Sequence, residues 1–242
     1  MDRDVYNRMD AIEQEHWWFA GRRRILERMV ARNLTDIPSP RILEAGCGSG
    51  GNIPMLQRFG TVAAFEYDEG ARETAERKSG LRVASGALPH DVPFDGDQYH
   101  LIGIFDVLEH VEHDIESLGA LAARLAPDGK ILITVPAFQW LWSNHDVTHH
   151  HFRRYTRAGL VECAGKAGLK VSYASYYNFF IFPLAVATRA FKRLTGRETP
   201  DDALPGKGVN SVLTSLFSFE RHLLGRMRLP VGLSLIAVLE RA

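Results

Sequence analysis

The chain has 242 residues, of which 45% are hydrophobic and 24% charged, enough apolar material for one sizeable α/β domain with additions, which excludes a disordered chain or a disulfide scaffold. Lys+Arg and Asp+Glu balance at 29 each, so the global basic field of a general nucleic-acid binder is missing and no nucleic-acid partner is expected. The two cysteines, Cys47 and Cys163, have no metal-ligand spacing, and the charged start lacks a secretory apolar run; both point to a reducing, cytoplasmic setting.

Residues 1–35 read as a helical arm with the cluster His16-Trp17-Trp18-Phe19 ahead of Arg22, Arg23 and Arg24. Its aromatics either pack on a sheet edge or form a lid over a ligand. From Arg41 to Leu141 short apolar runs alternate with helix-like polar segments, the rhythm of a mostly parallel sheet covered on both faces. Strands are expected at 41–44, 62–67, 81–84, 101–105 and 130–135, with helices at 51–58, 70–78 and 115–125 between them. A helix at 157–167 opens behind Thr156 and ends at Gly168, followed by strands at 170–176 and 232–239.

Between those last two strands lies an insertion, 179–229, with an aromatic helix from Phe179 to Val186, a polar linker over 195–210 and an amphipathic helix over 212–228. From Arg189 to Pro230 eight basic side chains face four acidic ones. The insertion is therefore basic on a neutral chain, and it is expected to cap the site, form a homodimer contact or lie on a membrane surface. The apolar stretch from Val171 to Leu194 is broken by Asn178, Pro183, Arg189, Lys192 and Arg193, short of the roughly 18–20 uninterrupted apolar residues of a span. The expected organisation is an arm (1–35), a core (36–178 plus 230–242) and the insertion.

The segment Arg41-Ile-Leu-Glu-Ala-Gly-Cys-Gly-Ser-Gly-Gly-Asn52 joins a strand to a helix through a glycine-rich turn, which lets backbone approach a ligand and aims helix N-terminal amides at it. Gly46, Gly48 and Gly51 satisfy GxGxxG with Glu66 20 residues beyond Gly46, a pattern that suits a nicotinamide-dependent oxidoreductase. Gly46, Gly48 and Gly50 equally satisfy GxGxG. Glu44, two positions before the first glycine, would repel a pyrophosphate but accept hydrogen bonds from a ligand ammonium. A ligand with an amino-acid end and a nucleoside end fits better, and Glu66 would take its ribose hydroxyls.

With these residues in place, the chain resembles the class I S-adenosylmethionine-dependent methyltransferases over roughly residues 40–178 plus the final strand. Glu44-Ala-Gly-Cys-Gly-Ser-Gly50 resembles the glycine motif, Glu66-Tyr67-Asp68 the ribose-binding acid and the residue beside adenine, Gly86–Phe94 the adenine-side loop, and Phe105-Asp-Val-Leu-Glu-His-Val111 the end of the fourth strand. The resemblance implies a Rossmann-like α/β fold with sheet order 3-2-1-4-5-7-6 and an antiparallel last strand. It also implies S-adenosyl-L-methionine as cofactor, held by Glu44, Gly46, Gly48, Gly50, Glu66, Tyr67, Leu88 and Asp106. Ala87 stands where many relatives carry an acid, which moves adenine recognition to backbone around Leu88 or to Asp91.

Two constellations are candidates for the chemistry. Asp106, Glu109 and His110 are spaced i, i+3, i+4, which suits a general base at His110, a divalent-metal site or a hydrogen-bonded turn. Trp140–Thr156 holds His145, His149, His150 and His151; adjacent imidazoles on one loop rarely converge on one ion, and no metal is assigned. His145-Asp146 with His151-x-Arg-Arg-Tyr155, together with the HWWF-like arm, resembles a bacterial subgroup linked to surface-glycan, lipid or secondary-metabolite pathways. In this reading His145 and His151 are acid/base groups, Arg153 or Arg154 holds an anionic substrate and Tyr155 caps the pocket; in the other, these residues tether the loop to the helix after it. The expected function is methyl transfer to a small-molecule or lipid/glycan-linked acceptor, at oxygen. A nicotinamide-dependent oxidoreductase and an idle cofactor-binding scaffold are the alternatives.

Overall fold

The computed structural model describes residues 10–195 and 204–242. The first nine residues of the expected arm and part of the expected linker lie outside them. Seven strands form one sheet: β1 Arg41–Ala45, β2 Thr61–Glu66, β3 Ala84–Ser85, β4 Tyr99–Phe105, β5 Leu125–Pro136, β6 Leu169–Tyr177 and β7 Ser234–Arg241. Their order is β3-β2-β1-β4-β5-β7-β6. The first five pair in parallel, and β7 runs antiparallel to both β5 and β6, as the resemblance implied. A nicotinamide-binding sheet of order 3-2-1-4-5-6 has no such strand, so the oxidoreductase alternative loses its support from fold.

The helices are α1 Trp17–Asn33, α2 Ile53–Leu56, α3 Glu69–Ser79, α4 Asp114–Ala122, α5 Asn144–Thr148, α6 Arg157–Lys166, α7 Phe182–Thr195 and α8 Lys207–Phe219. Where caps are explicit, the ends follow them. Asp68 accepts from the Ala71 amide at 2.8 Å to open α3, Gly80 closes it at φ +66°, and Thr156 accepts from the Gly159 amide at 3.1 Å to open α6. The helix expected over 51–58 contracts to α2, with Pro54 in its first turn. The helix expected over 212–228 ends at Phe219, where Glu220–His222 forms a 3₁₀ turn.

Alternation along the strands divides the core into two layers. Ile42, Leu101, Leu132 and Ile236 face one layer, which α1 completes with Ile25, Leu26, Met29 and Val30. Leu43, Ile102, Ile131 and Leu235 face the other, under Leu118 and Leu121 of α4 and Leu160 of α6. Each such side chain contributes about 1.5–3 kcal/mol on burial. The arm is thus part of one core layer, and the aromatic ring of Phe217 from α8 lies against its Gly21. No described helix is long and apolar enough to cross a membrane.

Candidate functional site

β1 and β4 are neighbours at the centre of the sheet, and their connections leave in opposite directions, toward β2 and toward β5. Ligands of open α/β sheets bind beyond the carboxyl ends of strands at such a switch point. A cleft of about 940 Å³ opens there, near the upper end of the roughly 300–1,000 Å³ of small-molecule sites. Its floor is the glycine loop. The amides of Gly46 and Cys47 both donate to the Phe65 carbonyl, at 3.0 and 3.1 Å, which straps the loop to the end of β2. Gly46 has φ +69°, and a Cβ there would meet the Val107 methyls at 2.9 Å; Gly48 has φ +54° with open space on its Cβ side. Gly50 lies outside the lining, where its missing Cβ lets the loop pack on Ala75 of α3.

Glu66 ends β2, nearly buried, with its carboxylate accepting from the Gly48 amide at 2.9 Å and the Asp68 amide at 3.1 Å. It lines the cleft with Gly46, Gly48, exposed Tyr67 and Leu88. Ala87 and Asp91 pair through their backbones, at 2.8 Å in both directions, and Asp91 points away from the lining, exposed. Of the two adenine-side options, only Leu88 borders the cleft. Glu44 lies deeper than expected, 1% exposed behind Asn52, whose amide donates to one carboxylate oxygen at 2.8 Å. The other oxygen has no partner. Burial pushes the Glu44 carboxyl up to about 7 against the Asn52 hydrogen bond and the Arg22 charge.

The arm walls this cleft with Ile12, Glu13, His16, Trp17, Trp18 and Arg22. Glu13 accepts from the Ser49 hydroxyl at 3.0 Å and pairs with Lys78 at 2.6 Å, so it grips the glycine loop. Arg22 pairs with Asp106 and lies over the Trp18 ring, 4.8 Å from its centroid. Asp106 holds φ +55° at the end of β4, so the chain turns there and separates Asp106 from the next two candidates: Glu109 and His110 sit on the 3₁₀ turn Leu108–His110 instead. The insertion adds Ile181, Leu184 and Leu213 to the lining.

At the far end of the cleft the histidine loop folds onto that turn. The Phe152 amide donates to the Glu109 carbonyl at 2.7 Å. His110, His145, His149 and His151 all line the cleft, with the His110 and His151 rings 4.5 Å apart and those of His145 and His149 4.0 Å apart. Asp146, on α5, organises the loop: it takes two hydrogen bonds from Arg154, at 2.7 and 2.9 Å, one from the Ser143 amide at 2.8 Å, and lies 2.9 Å from His151 Nδ1. These partners hold its carboxyl below the usual range despite burial. Burial and neighbouring imidazoles push both His110 and His149 down to about 3, so both rings are neutral at pH 7.

Three expectations for this loop change. Arg154 lines the cleft but is committed to Asp146 and the Ala137 carbonyl, and Arg153 pairs with Asp114 at 2.7 Å outside the lining. Neither guanidinium is placed to hold a substrate anion. Tyr155 does not cap the pocket; it is buried outside the lining, donating to Asp114 at 2.8 Å. The tethering reading thus describes Arg153, Arg154 and Tyr155, while His110, His145 and His151 converge on the cleft. The sequence assigns no role to Glu13, Asn52, Arg22 or Asp146, although the last two stand in motifs it singles out. Only Asp146 had a local signal, since Ser143 three residues before it completes a capping box.

Comparison with known proteins agrees with this geometry. Residues 17–174 match a family model described as a methyltransferase domain. A TehB-like SAM-dependent methyltransferase from Corynebacterium glutamicum shares the fold at TM-score 0.54 and 18% identity, over 89% of this chain and 87% of that one. A S-adenosylmethionine-dependent methyltransferase from Clostridium acetobutylicum does so at TM-score 0.57 and 10% identity, over 90% and 89%. Geranyl diphosphate C-methyltransferase from Streptomyces coelicolor, solved with Mg²⁺, geranyl diphosphate and S-adenosyl-L-homocysteine, gives TM-score 0.58 and 13% identity, over 90% and 78%. A curated relative, an uncharacterized protein of Synechococcus sp., is 34% identical over 110 residues, which cover 40% of this chain and 26% of that protein's length.

Proposed function

The chain belongs to the methyltransferase-domain family, and on that ground we propose that it transfers the methyl group of S-adenosyl-L-methionine to an oxygen of a small-molecule or lipid- or glycan-linked acceptor. The residues fit that cofactor. Gly48 leaves open space where a side chain would stand, Glu66 presents a carboxylate pinned by two amides, and Glu44 keeps an unpartnered buried oxygen behind Asn52. Glu66 would hold the ribose hydroxyls, Tyr67 and Leu88 the adenine, and the Glu44–Asn52 pair with Gly46 and Gly48 the amino-acid end. When bound, the cofactor supplies a sulfonium methyl group for in-line displacement.

The observation that carries the reading is the cleft itself, which joins the glycine loop at one end to the imidazole cluster at the other. An acceptor hydroxyl must lose its proton as it attacks, and His110, His145 and His151 form the end of the cleft equipped to activate it. Trp17, Trp18 and Phe19 of the arm and Ile181, Leu184 and Leu213 of the insertion give the walls an apolar, aromatic part beside Glu13 and Arg22, which favours an acceptor with an apolar body. Exposed Leu184 and Phe191 on α7 and Val209, Val212 and Phe219 on α8, on a segment with excess basic charge, support peripheral contact with an anionic membrane during access to a lipid-linked acceptor. Cosedimentation with anionic vesicles at low salt tests that contact, and an unbound protein rejects it.

Isothermal titration with S-adenosylhomocysteine and with NAD tests the core of the proposal. One saturable site for the homocysteine, weakened at least tenfold in Glu66→Ala, is expected; binding of NAD alone would overturn it. Transfer of labelled methyl into lipid and polar extracts then identifies the acceptor class.

A further inference from the structure

We infer that Glu109, His110 and His151 form a binding site for one divalent transition ion, of which Zn²⁺ is the best match, at the acceptor end of the cleft. One ligand atom from each of the three residues lies within 4.8 Å of the other two. Two imidazoles and one carboxylate are a ligand set of catalytic zinc sites, which use three protein ligands and leave a fourth position for water or substrate. Tetrahedral ligands around zinc stand about 3.4 Å apart, given metal–ligand distances of about 2.0–2.2 Å, so binding an ion would draw these three groups closer together.

The backbone of the Leu108–His110 turn is hydrogen-bonded, but Oε2 of the Glu109 side chain is not. Glu109 is 1% exposed, and its Oε2 has no partner. A buried carboxylate oxygen left unbonded costs free energy that a cation would recover. His151 is engaged through Nδ1, 2.9 Å from Asp146, which leaves its Nε2 for ligation. Ligating histidines characteristically donate their second ring N–H to a carboxylate or a backbone carbonyl, which fixes tautomer and ring orientation. Asp146 is itself locked by Arg154, and the Phe152–Glu109 backbone bond holds the loop against the turn. The three groups come from two elements that the fold fastens together.

The set differs from the Asp106, Glu109, His110 spacing in the sequence, because Asp106 is turned toward Arg22 and His151 takes its place. Glu109, His110 and His151 all line the cleft, so an ion held by them would be within reach of an acceptor bound there. Its use, which rests on the methyltransferase reading, is to lower the pKa of an acceptor hydroxyl bound to it, with the neighbouring His145 placed to take the released proton.

The test is metal binding itself. Full-length protein, stripped with chelator and dialysed against Zn²⁺ or Co²⁺, should retain one equivalent. The Co²⁺ form should show the visible absorption of low-coordinate nitrogen and oxygen ligation without a thiolate charge-transfer band. Glu109→Gln, His110→Ala and His151→Ala should each weaken binding at least 100-fold, and Asp146→Asn about 10–100-fold, the range for a lost partner of a ligating histidine. His150→Ala, on the same loop but outside the cleft lining, should leave it unchanged. Substoichiometric retention by the wild type, a thiolate band that assigns the ion to Cys47, or undiminished binding by the three ligand variants overturns the site. S-adenosylhomocysteine titration on the same samples shows that the variants are folded. It also separates the two readings: a wild type that holds the ion but not the homocysteine overturns the methyltransferase proposal and leaves the ion site standing.

Discussion

Glu44 and Glu66 are both strand-end carboxylates beside one glycine loop, yet their surroundings give them different tasks. Glu66 is pinned by two amides, whereas Glu44 has one amide partner and a carboxyl pushed up to about 7 by burial. Folding raises its pKa, so its contribution to stability is full below about pH 4.5 and is lost as pH rises through about 7. A cofactor ammonium reverses the preference by stabilising the carboxylate, so binding should release a proton below that value. We predict that the Kd for S-adenosylhomocysteine falls toward tenfold per pH unit between about pH 5.5 and 7 and then levels off. Glu44→Gln should remove this dependence. Titration calorimetry in buffers of different ionisation enthalpy measures the proton directly, and a pH-independent wild-type Kd would show that Glu44 does not sense the ligand. At this scale the glycines and Glu66 were legible because their roles are local: a turn needs glycine, and a strand end needs an acceptor. Arg22 and Asp106 are 84 positions apart, and no spacing in the sequence announces their pairing.

Elements were legible where a cap or a period announced them, and misread where a long-range partner decided their length. The expected helix over 212–228 continues an apolar period past Phe219, but Glu220 is buried and accepts from the amides of Asn178, Phe179 and Phe180 at 2.7, 2.7 and 3.2 Å. That carboxylate ties the end of α8 to the exit from β6 and sets where α7 begins. Glu220→Ala should leave three amides without their acceptor and cost about 2–4 kcal/mol in urea unfolding. Glu220→Gln, which retains one acceptor oxygen, should cost about half as much; equal losses would show that volume, not hydrogen bonding, is what matters there. The contact of α1 with α8 depends on the absence of a side chain at Gly21, where a Cβ would stand 2.5 Å from the Phe217 ring. Gly21→Val should therefore destabilise by about 1–3 kcal/mol through overpacking, against the small gain in helix propensity expected at an exposed site. A variant as stable as the wild type would mean that α8 moves aside freely.

At the scale of the whole molecule the arm and the insertion, which are 193 positions apart at their contact, line one cleft together. The sequence marked both as additions to a common sheet; it carried no sign that they meet. Their polar seam is Asn210, whose side chain accepts from the Trp17 amide at 2.9 Å and donates to the Glu15 carbonyl at 2.8 Å. Arm and insertion both line the cleft that holds Glu66 and the histidine cluster, and we predict that escape of a ligand lying there requires the two to part. Each of the two hydrogen bonds contributes about 0.5–1.5 kcal/mol, and together they make opening about 1–3 kcal/mol harder. Asn210→Ala should then speed dissociation of S-adenosylhomocysteine roughly tenfold, since 1.4 kcal/mol is a factor of ten. Association should change less, because the encounter is limited by finding the cleft and not by breaking the seam once per turnover. Stopped-flow displacement supplies both rates. A dissociation rate unaltered by Asn210→Ala would mean that the ligand leaves by a route that does not separate arm from insertion, and the walls would then shape the acceptor pocket without gating the cofactor.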